Sequence, residues 1–85
     1  MSVTALREQA QLQSFASRLR AIRKERRETQ EKFSELLGIS PPYLSGYENA
    51  RRWPQPKTLR RMARTLGIDV KVLWPWVLPP EDWMY

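Results

Sequence analysis

The side chains able to do chemistry in this chain are almost all guanidinium, amide and hydroxyl groups. Arg51 and Arg52 stand side by side in the polar stretch RRWPQP, and Arg18, Arg20, Arg23, Lys24, Arg26 and Arg27 crowd one earlier run. A guanidinium binds phosphate oxygens, or offers a planar pair of N–H groups to the O6/N7 edge of guanine. The chain contains no cysteine and no histidine. Disulfides, zinc centres and thiol or imidazole catalysis are therefore not expected, and neither is any metal or cofactor. With no nucleophile–base set and no phosphate-cradling glycine loop, an enzyme is not expected either. Fifteen Lys and Arg against nine Asp and Glu give a net charge of +6 and a pI near 10.3. That balance favours an anionic partner, nucleic acid first and an acidic membrane surface second.

The stretch that the rest of the chain must position runs from Thr29 to Trp53, and it reads as two short helices about a tight turn. Thr29 is a good N-cap, and Phe33, Leu36 and Leu37 recur at helical spacing to give one apolar face. Gly38 follows the last apolar pair, where a left-handed residue ends a helix without a Cβ penalty. Ser40 caps the next helix and Pro41 takes its first position, where a missing N–H costs nothing. Leu44, Tyr47 and Glu48 continue that second helix. Helix, glycine turn, helix is the layout that lets a second helix project into the major groove of DNA.

Eighty-five residues suffice for one small domain around this pair. Residues 2–13 suggest a short helical arm with Val3, Leu6 and Ala10 on one side. Ser14 can cap a stronger helix, in which Phe15, Leu19 and Ile22 fall at i, i+4 and i+7. The basic residues between them read singly as a solvated face and together as a flank for phosphates. Pro54 and Pro56 break any helix around Gln55; Lys57 to Leu66 resumes one with Leu59, Met62, Ala63 and Leu66, and Gly67 stops it. Asp69 caps a last short helix, whose Val70, Leu73 and Trp74 close the core. The expected division is an arm or short helix over 1–13, a helix-turn-helix DNA-binding domain over 14–74, and a tail over 75–85. Pro75, Pro79 and Pro80 forbid a regular helix in the tail, yet Trp76, Val77, Leu78, Trp83, Met84 and Tyr85 make it too apolar to be idle. Strand, packed coil and partner-binding arm are all open for it. No apolar run approaches the ~20 residues of a membrane span. Residues 1–14 lack the apolar segment of a signal peptide, so the expected location is the cytoplasm, at the nucleoid.

Residues 15–74 resemble the Cro/repressor helix-turn-helix family, the lambda-repressor-like or XRE type. FASRLRAIRKER is similar to its first helix and TQEKFSELLGIS to its second; PPYLSGYENARRWP is similar to its recognition helix and loop, and TLRRMARTLGID to its fourth helix. The resemblance implies an all-α fold, a compact bundle of about five helices containing the helix-turn-helix, here followed by an aromatic, proline-rich C-terminal tail. It also implies roles for single residues. Gln30 would bond a DNA phosphate by its side chain, beside the N–H groups at its helix N-terminus. Ser34 stands at a position kept small for close helix contact. Pro42, Tyr43, Ser45 and Gly46 fall at positions facing base edges, and Asn49 at one that holds the backbone beyond the helix. Arg23 and Glu48 match an ion pair that ties the first helix to the recognition helix. This chain departs from the pattern at three places. Pro41 replaces a common glutamine that supports the Gln30 position, Arg27 and Glu28 replace a Gly–apolar pair, and Ala50 replaces a glycine.

Direct readout of bases needs paired donors and acceptors, and the recognition face is poor in them. Tyr43 and Ser45 bring one hydroxyl each; Pro42 and the Tyr43 ring suit thymine methyls. Two readings of Gly46 stand side by side: it lets the backbone lie close to the groove, or it makes room for a neighbouring side chain. Arg51 and Arg52 are the strongest candidates for DNA contact, with phosphate the commoner target of a loop pair. Arg52 is assigned to a base edge, and Arg51 and Lys57 to phosphates. The expected function is sequence-specific binding of double-stranded DNA by a transcriptional regulator, a repressor acting as a homodimer on a palindromic operator with half-sites ~34–36 Å apart. Trp74, Trp76, Leu78 and Trp83 are the natural dimer or partner surface, since Trp is enriched in interface hot spots; otherwise the tail folds over its own core. The alternative function is an antitoxin-type module whose tail binds a partner protein, with DNA binding for autoregulation.

Overall fold

In a computed structural model, which describes residues 3–78, the chain forms five helices and, among the described residues, no strand. They are α1 (Val3–Glu25), α2 (Gln30–Leu37), α3 (Pro41–Glu48), α4 (Pro56–Leu66) and α5 (Val70–Leu73). α1 is one unbroken helix of 23 residues, with no boundary at Ser14. No proline or glycine interrupts it, and its first half is rich in the helix formers Ala, Leu, Gln, Glu and Arg. Ser14 is not a cap: its Oγ accepts from Arg18 Nε one turn on, at 3.1 Å. Leu6 and Ala10 are exposed, and from Ala5 onward the first buried side chain on α1 is Leu12. α4 also begins differently from expectation. Pro56 does not break the helix but opens it at the first position, where it is buried against the core.

Each remaining helix is short and held by packing. α1 lies against α3 and α5, α2 against α3 and α4, and α4 against α5. Phe15 and Leu19 of α1, Phe33 and Leu37 of α2, Leu44 and Tyr47 of α3, Leu59 and Met62 of α4, and Leu73 of α5 form one core. Trp74 is its largest member and only 2 % exposed. Its ring meets Phe15, Trp53 and Trp76 edge-on, with centroids 5.8, 6.0 and 5.2 Å away. Its indole N–H donates to Val77 O at 3.2 Å. Trp74 therefore belongs to the interior of its own chain and offers no face to a second one, because the apolar body of the indole is fully enclosed.

Trp76 and Leu78 are half-buried against the same core, while Val77 between them is 92 % exposed. Over residues 75–78 the tail is thus packed coil. Trp83, with Met84 and Tyr85, lies outside the described residues. Arg18 pins the end of α5 to α1, donating through Nη1 to Val72 O at 3.2 Å, with its guanidinium 6.0 Å from the Trp76 ring centroid.

Candidate nucleic-acid interface

The caps on either side of the turn set the angle at which α3 leaves the body. Thr29 Oγ1 accepts from the Lys32 N–H at 3.1 Å and starts α2. Gly38, at φ +70°, ends it in a Schellman turn: the Gly38 N–H donates to Glu35 O and the Ile39 N–H to Ser34 O. Ser40 Oγ accepts from the Tyr43 N–H, and Pro41 and Pro42 fill the first turn of α3. Ser34 is buried and small, and its hydroxyl donates to Glu31 O at 2.7 Å within its own helix.

Period 3.6 then splits α3 into two faces. Leu44, Tyr47 and Glu48 point into the body; Pro42 and Tyr43 are exposed, and Ser45 and Gly46 are half-buried. Beneath α3, the Glu48 carboxylate is 2 % exposed and accepts three hydrogen bonds. Arg23 Nε reaches Oε2 at 2.8 Å and Arg23 Nη2 reaches Oε1 at 3.0 Å, a bidentate pair. Gln30 Nε2 donates to the same Oε1 at 3.0 Å. Arg23 Nη1 also donates to Glu28 O at 3.1 Å, so a single guanidinium joins α1, the α1–α2 turn and α3. The bond to Glu48 raises the pKa of Arg23 above its ordinary value. Gln30 spends one of its two side-chain N–H groups on Glu48. Pro41 offers nothing to hold that glutamine, and Glu48 holds it instead. Nothing in the spacing of Gln30 and Glu48, eighteen positions apart, signals the contact.

On the outer side, Arg52 folds back from the loop over α3. Its guanidinium carbon lies 3.9 Å from the centroid of the Tyr43 ring, a stacked cation–π contact. Gly46 leaves room for this: a Cβ there would stand 3.3 Å from Arg52 Cβ and 3.5 Å from Arg52 Nε, so the arginine would have to give by a few tenths of an ångström. Of the two readings of Gly46, the need for room has a named occupant. Tyr43 and Gly46 are one turn apart on α3, which was the only sequence signal for this triad. The Tyr43 ring also meets Tyr47 edge-on at 6.4 Å. Burial raises the Tyr47 pKa, against the opposing charge of Arg52. Beside them opens a hollow of about 220 Å³ lined by Tyr43, Tyr47, Arg52, Trp53, Gln55 and Thr58.

Asn49 closes its own helix, its Nδ2 donating to Ser45 O at 2.8 Å and to Ser45 Oγ at 3.2 Å. Arg51 is exposed in the loop, and Lys57 is exposed at the second position of α4. Among the described residues no group of carboxylates is placed to hold a metal ion, and no helix is long and apolar enough to cross a membrane.

A helix-turn-helix family profile matches residues 19–73, and the chain belongs to that family, in its Cro/repressor or XRE type. Among curated proteins it is similar to the ImmF control region 10 kDa protein of Bacillus phage phi105, 43% identical over 51 residues, covering 60% of this chain and 57% of that one. It is 41% identical over 60 residues to the immunity repressor protein of the same phage, covering 71% of this chain and 42% of the relative. Similarity to the HTH-type transcriptional repressor RghR of Bacillus subtilis (strain 168) is 36% over 63 residues, covering 73% and 47%. The chain thus spans about half the length of these relatives. Among solved structures, the restriction-modification controller protein C.AhdI from Aeromonas hydrophila superposes with a TM-score of 0.70 at 29% identity, covering 76% of this chain and 98% of that one. The clp gene regulator ClgR from C. glutamicum superposes with a TM-score of 0.64 at 28% identity, covering 73% and 82%.

Proposed function

We propose that this protein is a sequence-specific, double-stranded DNA-binding transcriptional regulator that represses from a palindromic operator as a homodimer. The observation that carries the reading is the two-sided character of α3. Its inner face is locked to α1 and α2 through Glu48, and its outer face presents Pro42, Tyr43 and Ser45 to the outside. A rigid short helix, flanked by Arg51, Arg52 and Lys57, suits the width of the major groove. The second N–H of Gln30, with Asn49, Arg51 and Lys57, serves the phosphates, and Pro42, Tyr43 and Ser45 meet base edges. The phage immunity repressor and the Bacillus repressor among its relatives favour repression over activation. One module of this size reads few base pairs, so a second copy related by a two-fold axis supplies the other half-site. DNA as target puts the working location in the cytoplasm, at the nucleoid.

Selection from random duplex DNA with the full chain tests the reading. The expected product is an inverted repeat with half-sites about one helical turn apart, bound with an affinity that falls steeply as salt rises. Binding equally tight to every duplex would sink it.

A further inference from the structure

We infer that Tyr43, Gly46 and Arg52 form a preassembled reader of one guanine in each half-site, with Arg52 making the contact and the other two positioning it. The inference rests on the DNA-binding reading above and names what that site recognises. Arg52 is not a loop arginine free to sweep along a phosphate backbone. Its stem crosses α3 at the one residue without a Cβ, and its guanidinium carbon lies over the Tyr43 ring, 3.9 Å from the centroid. Stacking occupies the face of the guanidinium and leaves its edge for hydrogen bonding. Among the described residues no carboxylate or carbonyl takes that edge. A planar edge of two N–H groups, held in fixed orientation over the outward face of α3, matches the N7 and O6 acceptors of guanine in the major groove.

A phosphate contact needs none of this. Phosphate is served by a flexible ammonium as a point charge or by a bidentate guanidinium; what favours the base edge is the place of this guanidinium, over the outward face of α3. The helix meanwhile carries a glycine in its interior, which disfavours it relative to alanine by about 1 kcal/mol. Gly46 makes sense where the position of Arg52 matters. The plate also removes conformational freedom from Arg52 before any ligand arrives, so less is lost on binding.

The test compares the full chain with the Arg52→Ala and Tyr43→Leu variants in selection from random duplexes, followed by titration of the selected duplex carrying 7-deazaguanine at single positions. Both changed residues are exposed, and thermal melts establish that each variant is folded before it is used. For the parent chain, 7-deazaguanine at one position per half-site is expected to weaken binding on the order of tenfold, through loss of the N7 acceptor. Arg52→Ala removes the donors, and is expected to erase both that penalty and the guanine preference at that position. Tyr43→Leu is expected to reduce the preference while leaving the salt dependence intact. Arg52→Ala binding more weakly to all duplexes with the selected sequence unchanged would overturn the inference and leave the DNA-binding reading standing. Absence of salt-sensitive binding to any duplex would overturn both.

Discussion

Glu48 is a carboxylate out of water with its remaining energy staked on two partners. Its removal and the removal of Arg23 are not equivalent. Arg23 is 15 % exposed and regains some hydration when alone, whereas Glu48, at 2 %, does not. Arg23→Ala is therefore expected to destabilise the fold by about 3 kcal/mol and Glu48→Ala by about 2 kcal/mol, read by urea denaturation. An Arg23→Met, Glu48→Leu double variant should lose less than the sum, since no charge is then stranded. Equal losses from the two single changes would contradict the ranking. The roles of Thr29, Ser40 and Asp69 as caps are legible in the chain because each bond spans two or three residues. The contacts Gln30–Glu48 and Tyr43–Arg52 are not, because they form across turns whose geometry no local spacing encodes. The resemblance alone placed Gln30 on DNA, and it said nothing of the carboxylate behind it.

Four helices end in the same device. At Arg27, Gly38, Ala50 and Gly67 the chain turns left-handed, and paired N–H groups close back on the last carbonyls. Two of these positions hold glycine; Arg27, at φ 57°, and Ala50, at φ 56°, do the same work with a Cβ in the way. A non-glycine residue in this region costs about 1–2 kcal/mol. Arg27→Gly and Ala50→Gly are each expected to stabilise the fold by about 1 kcal/mol, raising Tm by about 4–8 °C. A fall in Tm would mean that the Arg27 or Ala50 side chain makes a contact worth more than the strain. The substitution of both residues for glycine was visible in the chain; that the backbone keeps the glycine conformation was not. α1 shows the opposite failure. A serine before an apolar run reads as a start, yet helix formers on both sides let the helix run through it. Whether serine caps or bonds one turn along depends on its neighbours, and Arg18 was at hand.

For the whole molecule, the question is what the residues after α5 do. Trp76 meets Trp74 edge-on, Leu78 packs against the core, and Val77 supplies the acceptor for the Trp74 indole. A chain ending at Trp74 should lose about 2 kcal/mol of stability, by loss of buried apolar area and of that bond. If the tail carries the proposed homodimer contact, that chain should sediment as a monomer and the full chain as a dimer. A dimer mass in both would place the interface away from the tail, and a monomer mass in both would remove the proposed dimer. The order of the five helices and most of the core could be read from apolar spacing and punctuation by Gly and Pro. The place of Trp74 could not, because an indole is equally at home in a core and at an interface. Only the shape of the finished bundle decides between them.

Trp53 lines the hollow beside Arg52, and its ring lies 6.0 Å from that of Trp74. The molecule thereby carries its own fluorophore on the seam between recognition and interior. Anything seated against the plate should change the emission of Trp53 without a dye, and loss of the fold should shift the colour of its enclosed neighbour. Occupancy and integrity then both register in the tryptophan emission of one unlabelled chain, to which Trp76 also contributes.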